Sequence, residues 1–168
     1  MLIATGQLTS FESTIETPLT VARDFEDRLP SLHNYVRYLC IYCRFEEAAD
    51  KCFAILNEFG EDFPSEVTPE IIQTEIASTA AMLTNFPKND LRNLQPLSDP
   101  MKHSLLRQMV AAMMVLFHYK SNYIPLLGCR IAQRSAQYGW CSYSSFGLYS
   151  FGQSLMCVPQ MADAGYAW

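Results

Sequence analysis

The stretch CRFEEAADKCFAILNEFG, residues 43–60, decides the fold. Phe45, Ala48, Ala49, Cys52, Ile55, Leu56 and Phe59 recur at spacings of three and four, which puts them on one stripe of an α-helix; Gly60 follows as a natural C-terminal stop. A lone helix cannot bury such a stripe, so it needs neighbours. The preceding SLHNYVRYLCIYC supplies one, with Leu32, Tyr35, Val36 and Leu39 on one face. The pair reads as a helical hairpin. Upstream, the chain turns helical from Val21, with Leu29-Pro30 expected to break or kink it and Pro30 in the first turn of the next helix, where its missing N–H costs nothing.

Further along, Thr68, Pro69 and Glu70 form a helix start: a capping hydroxyl, a proline at the first position and a carboxylate at the positive end. The expected buried stripe of that helix is Ile72, Ile76, Ala80 and Leu83. A polar connector, NFPKNDLRNLQPL, precedes a second cap-plus-proline start at Asp99-Pro100, which opens a helix to about Tyr119. The middle of that helix, residues 110–117, is apolar nearly all round and is expected deep in the core. Another helix is expected from Tyr123 to Gln137, ended by Gly139. A last segment, SYSSFGLYSFGQSLMCV, mixes aromatic residues with Gly147, Gly152, Ser150 and Ser154, small residues that let a neighbouring helix come close. Its Phe146, Tyr149 and Phe151, like Met109, Met113 and Met114, are expected as core. No stretch reads as a strand. The fold class is all-α: six or seven helices, expected as stacked antiparallel hairpins, with a frayed or partial segment over residues 1–20 and one helical-repeat domain over residues 21–168.

Composition agrees with a packed core: 49% of the 168 residues are hydrophobic and 17% charged. The net charge of −5 argues against nucleic acid as a partner. Residues 1–70 hold 13 acids and 5 bases, and residues 71–168 hold 4 acids and 7 bases. MLIATGQLTSFESTIE lacks the basic region and apolar core of a secretory signal. The longest apolar run, MVAAMMVLF, falls well short of the roughly 20 residues that span a bilayer. The expectation is a cytoplasmic chain with no membrane partner and reduced cysteines.

The segment LHNYVRYLCIYCRFEEAADKCFAILNEFG resembles one tetratricopeptide repeat, a unit of about 34 residues. Arg44-Phe45-Glu46-Glu47 matches the turn into the second helix, and Ala48 the small residue at the helix crossing. Cys52 stands where an aromatic residue is usual and Gly60 where proline is common. Over a longer span, FEDRLPSLHNYVRYLCIYCRFEEAADKCFAILNEFGEDFPSE, LQPLSDPMKHSLLRQM, IPLLGCRIAQRSAQYGWCSYSSFGLYSFGQSL and ADAGYAW follow one another in order. That order is similar to the tetratricopeptide-like helical region that follows the AAA-type ATPase module in multidomain serine/threonine and hybrid histidine kinases. Leu97-Ser98-Asp99-Pro100, Gln137-Tyr138-Gly139 with Ser145-Phe146, and Asp163 with Gly165-Tyr166 carry the likeness. The resemblance implies a tetratricopeptide-like array that continues past Trp168, so that this chain is a piece truncated at its C-terminus. It also implies contacts with other domains of a larger signalling chain. An array cut at Trp168 leaves the stripe of its last helix uncovered, which invites dimerisation.

Candidate chemistry is sparse. Cys40-Ile41-Tyr42-Cys43 is a CxxC pair, which suits a small redox or zinc protein in principle. Both thiols fall near the C-terminal end of a helix, however, where the dipole disfavours thiolate, and zinc would need two more ligands. Structural cysteines are the plainer reading. His103 and His118 have no neighbouring Asp–Ser arrangement, and phosphate-loop, nucleophile-elbow and zinc-protease motifs are missing from the sequence. Arg130 and Arg134 lie one turn apart and read as a solvated face or as a contact for acidic groups. No catalytic residue, metal or cofactor is implied. Tetratricopeptide hairpins line their groove with the first helix of each pair, which here carries His33 and Arg37 one turn apart. These two are the expected contacts for a protein or peptide partner with acidic groups. A free-standing peptide-binding adaptor is the alternative to a segment of a signalling kinase.

Overall fold

A computed structural model describes residues 24–84 and 95–157. The expectations for residues 1–20, for most of the polar connector and for Asp163, Gly165 and Tyr166 lie outside them. The described residues form six α-helices and a single-turn 3-10 helix, with no strand among them, so the protein is all-α. They divide into two compact units, one ending at Asp62 and one starting at Phe63.

The first unit is a hairpin of α1 (Phe25–Ile41) and α2 (Phe45–Glu58). Asp24 caps α1 by accepting from the Asp27 N–H at 2.9 Å, and Glu26 and Asp27 favour the positive end of the helix dipole. The helix therefore starts upstream of Pro30 and runs through it. Neither the expected break nor a new helix start occurs there. Pro30 lies early enough in α1 to forfeit one backbone bond, and the cap holds the turn before it. The stripe of α2 is buried as expected through Ala48, Ala49, Cys52, Ile55 and Leu56. The open end is closed by Arg28, which donates to Glu58 at 2.6 Å, and by Phe25 edge-on to Phe59 at 4.8 Å. Because the start of α1 meets the end of α2, the two helices run antiparallel.

Both helices of the hairpin end in the same backbone motif. The N–H of Glu61 donates to the Leu56 carbonyl and that of Gly60 to the Asn57 carbonyl, with Gly60 at φ +80°. At the end of α1, Arg44 donates to Leu39 and Cys43 to Cys40, but the left-handed position is held by Cys43 at φ +56°. A cysteine pays a steric penalty there that glycine does not.

The second unit contains α3 (Pro69–Thr84), α4 (Pro100–Tyr119), the 3-10 turn Ser121–Tyr123, α5 (Ile124–Tyr138) and α6 (Ser144–Met156). Helix α5 packs against α3, α4 and α6. One apolar cluster joins Ile76 and Leu83 of α3, Cys129, Ala132 and Ala136 of α5, and Phe151 and Leu155 of α6. Ile72 and Ala80 pack at its edge, so the stripe expected for α3 faces the core. The α5–α6 crossing is very close. A Cβ added at Gly147 would lie 2.6 Å from Ile131 Cβ, and one at Gly128 would lie 2.6 Å from Ser150 Oγ.

The packing of the second unit corrects two expectations. Phe151 and Leu155 of α6 are buried in the cluster and half-buried Leu148 packs at its edge, while Phe146 and Tyr149 point outward. The inward face of α6 is occupied by Gly147, Ser150 and Ser154, which the close approach requires. On α4, Leu105, Leu106, Met109, Ala112, Val115 and Leu116 are buried, but Met114 and Phe117 are exposed, so residues 110–117 are not buried all round.

Two changes test these assignments. Cys43→Gly relieves the left-handed strain and raises stability by about 1 kcal/mol, read from the urea midpoint, whereas Cys43→Ala brings no gain. Gln108 of α4 is fully buried, and neither end of its amide has a hydrogen-bond partner among the described residues. Each unsatisfied polar group costs about 1–3 kcal/mol, so Gln108→Leu raises the thermal midpoint.

Candidate functional site

The hairpin presents Arg37 on the outward stripe of α1, in line with the exposed Pro30, Asn34 and Ile41. His33 sits one turn earlier and is half-buried, at the edge of that stripe. Around them α1 is aromatic: the rings of Tyr35 and Tyr38 stack at 6.2 Å, Tyr38 meets Tyr42 at 4.9 Å, and Lys51 of α2 lies 6.0 Å from the Tyr35 ring. Arg44, by contrast, is held by Glu47 through two bonds of 2.7 and 2.6 Å. Those bonds pull the Glu47 carboxyl below its usual range.

Cys40 and Cys43 lie where α1 ends and its motif turns. Burial, followed by the neighbouring Cys43 sulfur, pushes the Cys40 thiol above its ordinary pKa, the wrong direction for a reactive thiolate. Cys129, deep in the second unit, is pushed up to about 12, chiefly by burial. Among the described residues, no three His, Cys, Asp or Glu side chains are grouped to hold a metal ion.

Two segments distant in sequence, residues 95–102 and 138–144, meet in the second unit. Gly139 ends α5 at φ +112°, and a Cβ there would lie 2.5 Å from the Gln95 carbonyl oxygen. Trp140 donates to Gln95 at 2.9 Å and Leu97 donates to Trp140 at 2.8 Å, so residues 95–97 run alongside the turn after α5. Two residues on, Asp99 caps α4 by accepting from the N–H groups of Met101 (2.9 Å) and Lys102 (3.2 Å). Lys102 then lies 4.8 Å from the Tyr138 ring, and His103 meets Tyr143 edge-on at 5.2 Å. The corner is closed by Ser144, whose hydroxyl accepts from the Cys141 N–H at 3.1 Å. These groups fasten the start of α4 to the α5–α6 turn, and chemistry is not required to explain them.

Between α3 and α5, Gln133 donates to Glu75 (2.9 Å) and to buried Thr79 (2.7 Å), while Arg130 lies 3.9 Å from Glu75 and 5.7 Å from the Phe63 ring. Arg130 is therefore engaged within the unit and is not part of a solvated face. Arg134 donates to Gln137 at 2.9 Å and lies 5.9 Å from the Tyr138 ring. An open cleft of about 380 Å³ is lined by Met82, Gln133, Arg134, Ala136 and Gln137. Its polar groups are largely tied to one another, and none is a nucleophile.

The surface that sequence reading missed is apolar. Met114 (62% exposed), Phe117 (67%), Phe146 (51%) and Tyr149 (67%) were all expected inside or flanking the core. Two signals were available: the small residues of α6 mark its inward face, and residues 135–157 carry no charged side chain. Comparison of the chain with protein-family models, with curated proteins and with solved structures yields no match in any of the three.

The cap at Asp99 has a pH signature. Hydrogen bonds from the Lys102 backbone, and then from the Lys102 side chain and the Met101 backbone, hold its carboxyl below the usual range. A depressed folded pKa adds stability above the unfolded value of about 4, and that stability is lost as pH falls through the folded value. Asp99→Asn keeps a capping oxygen but removes the charge. In circular-dichroism melts it lowers the neutral-pH midpoint and shrinks the drop seen on acidification below about pH 4.

Proposed function

We propose that this chain is a non-catalytic helical interaction segment, which holds or transmits contacts between larger partners through helix packing. The observation that carries the reading is the set of large apolar side chains on the outer faces of α4 and α6, helices whose inner faces are already packed. Such groups are not needed for the core of their own unit and are available for contact. The raised pKa of Cys40 disfavours the redox alternative. Following the sequence resemblance, the segment belongs between an AAA-type ATPase module and downstream sensor or kinase domains of a signalling chain. Within the hairpin, Arg37, with His33 beside it, is the contact for acidic groups of a protein or peptide partner, with Arg37 supplying a permanently charged fork for carboxylates. A peptide-binding adaptor uses the same two residues.

Fluorescence anisotropy with a labelled glutamate-rich peptide tests the hairpin contact. The expected result is saturable binding that Arg37→Glu weakens at least tenfold and that Arg107→Glu, an exposed change on α4, leaves alone. Equal binding by the Arg37→Glu chain sinks the contact. Sequencing of the full-length transcript tests the architecture: a product encoding an upstream phosphate loop supports the connector, and one ending at Trp168 leaves the adaptor.

A further inference from the structure

Helix α6 has two different faces. Inward lie Ser144, Gly147, Ser150, Phe151, Ser154 and Leu155, all buried. Outward lie Ser145, Phe146, Tyr149, Gln153, Met156 and Cys157, all exposed. At 3.6 residues per turn the outward set occupies a stripe about 120° wide. It contains two aromatic rings, a methionine and an amide, and no charge. Gln153 donates to the Tyr149 hydroxyl at 2.8 Å, so the stripe's two central polar groups already reach toward each other.

The order of these residues has a symmetry. Counting outward from Phe151, which lies on the opposite face, Phe146 and Met156 are equally far away, as are Tyr149 and Gln153, and Ser145 and Cys157. Two copies of α6 laid antiparallel about a two-fold axis level with Phe151 therefore place Phe146 against the second copy's methionine and Tyr149 against its glutamine. The tyrosine–glutamine bond made within one helix can then be exchanged between two, so neither polar group is stranded by burial. Aromatic rings over methionine thioethers are a favourable pairing. Antiparallel helices also align their dipoles head to tail, and an uncharged stripe meets its own copy without repulsion.

We propose that the outward stripe of α6 is a self-association surface whose occupant is the same stripe of a second copy of this chain, in an antiparallel two-fold pair. The inference deepens the interaction-segment reading and rests on it for treating outward apolar groups as contacts. A standard interface buries about 800 Å² per partner, and one helix of 13 residues supplies less, so the pair is weak and reversible. Its formation depends on local concentration, which larger domains on either side would raise.

Sedimentation of the full chain over a range of concentrations is the first readout. A monomer–dimer equilibrium is expected, with the dissociation constant raised at least tenfold by Tyr149→Lys and by Met156→Lys, while circular dichroism is unchanged. Register is tested with Ser145→Cys in a Cys43→Ser background. In the antiparallel pair this thiol lies level with Cys157 of the second copy across the width of the stripe, and a bis-maleimide spanning about 8 Å yields a covalent dimer that Cys157→Ser abolishes. Within one chain the two positions are about 18 Å apart along the helix, too far to bridge. A dimer that both lysine changes leave intact overturns the proposal, as does a cross-link that persists without Cys157. So does a chain that stays monomeric at every concentration. In that last case a Ser145→Cys thiol shielded from a soluble maleimide assigns the stripe to the chain's own residues, and a reactive one leaves it uncovered. None of these results bears on acidic-peptide binding at Arg37, so the two readings fail separately.

Discussion

The second unit depends on how closely α5 and α6 approach. With Ile131 resting on Gly147 and Ser150 on Gly128, neither glycine has room for a side chain of its own. Dispersion falls steeply with distance, so a crossing this close gains many weak contacts from backbone and short side chains. It also fixes the rotation of α6 about its axis. Once Gly147, Ser150 and Ser154 face α5, Phe151 and Leu155 are directed into the cluster with Ile76 and Leu83. Phe146, Tyr149 and Met156 are left outside. The outer apolar stripe is therefore a geometric consequence of the inner one.

Helix ends do the remaining positioning, and they do it with local chemistry. Asp99 with Pro100 fixes where α4 starts, and Gly139 fixes where α5 stops. The strand-like pairing of Gln95 and Leu97 with Trp140 ties those two ends together. In the first unit, the matched backbone motifs after α1 and α2 set the hairpin turn and its exit. The turn into α2 also explains why the cysteine pair is a poor redox site. Its second member holds a backbone position that glycine normally fills, and its first is raised in pKa by burial.

Much of this was legible in the sequence because it follows from short-range rules. The stripe of α2, the proline starts of α3 and α4, the end of α5 at Gly139 and the all-α class all come from periodicity and capping. Pro30 misled because a proline alone says break, whereas Asp24 with Glu26 and Asp27 starts the helix ahead of it. The outward aromatic groups misled for a different reason. Hydrophobicity says that a residue gains from burial, and only the partner's shape says which residues get it. Nothing in the sequence said that Leu97, Gly139 and Trp140 would meet, because that contact joins segments more than 40 residues apart. Of the expected partner contacts, Arg37 stands outward and His33 is half-buried.

The two surfaces left available differ in what would hold a partner to them. A partner proposed at Arg37 would be attracted through charge, which reaches across several ångströms of water, speeds encounter and is screened at physiological salt. The stripe of α6 has no charge to screen, and its attraction is the removal of apolar area from water, which salts excluded from the surface strengthen. If both proposals hold, the segment would respond to an acidic partner and to its own local concentration by independent means. On the proposed reading neither surface needs to enclose a substrate or exclude water from a reacting bond, so each can be strengthened or weakened without the other.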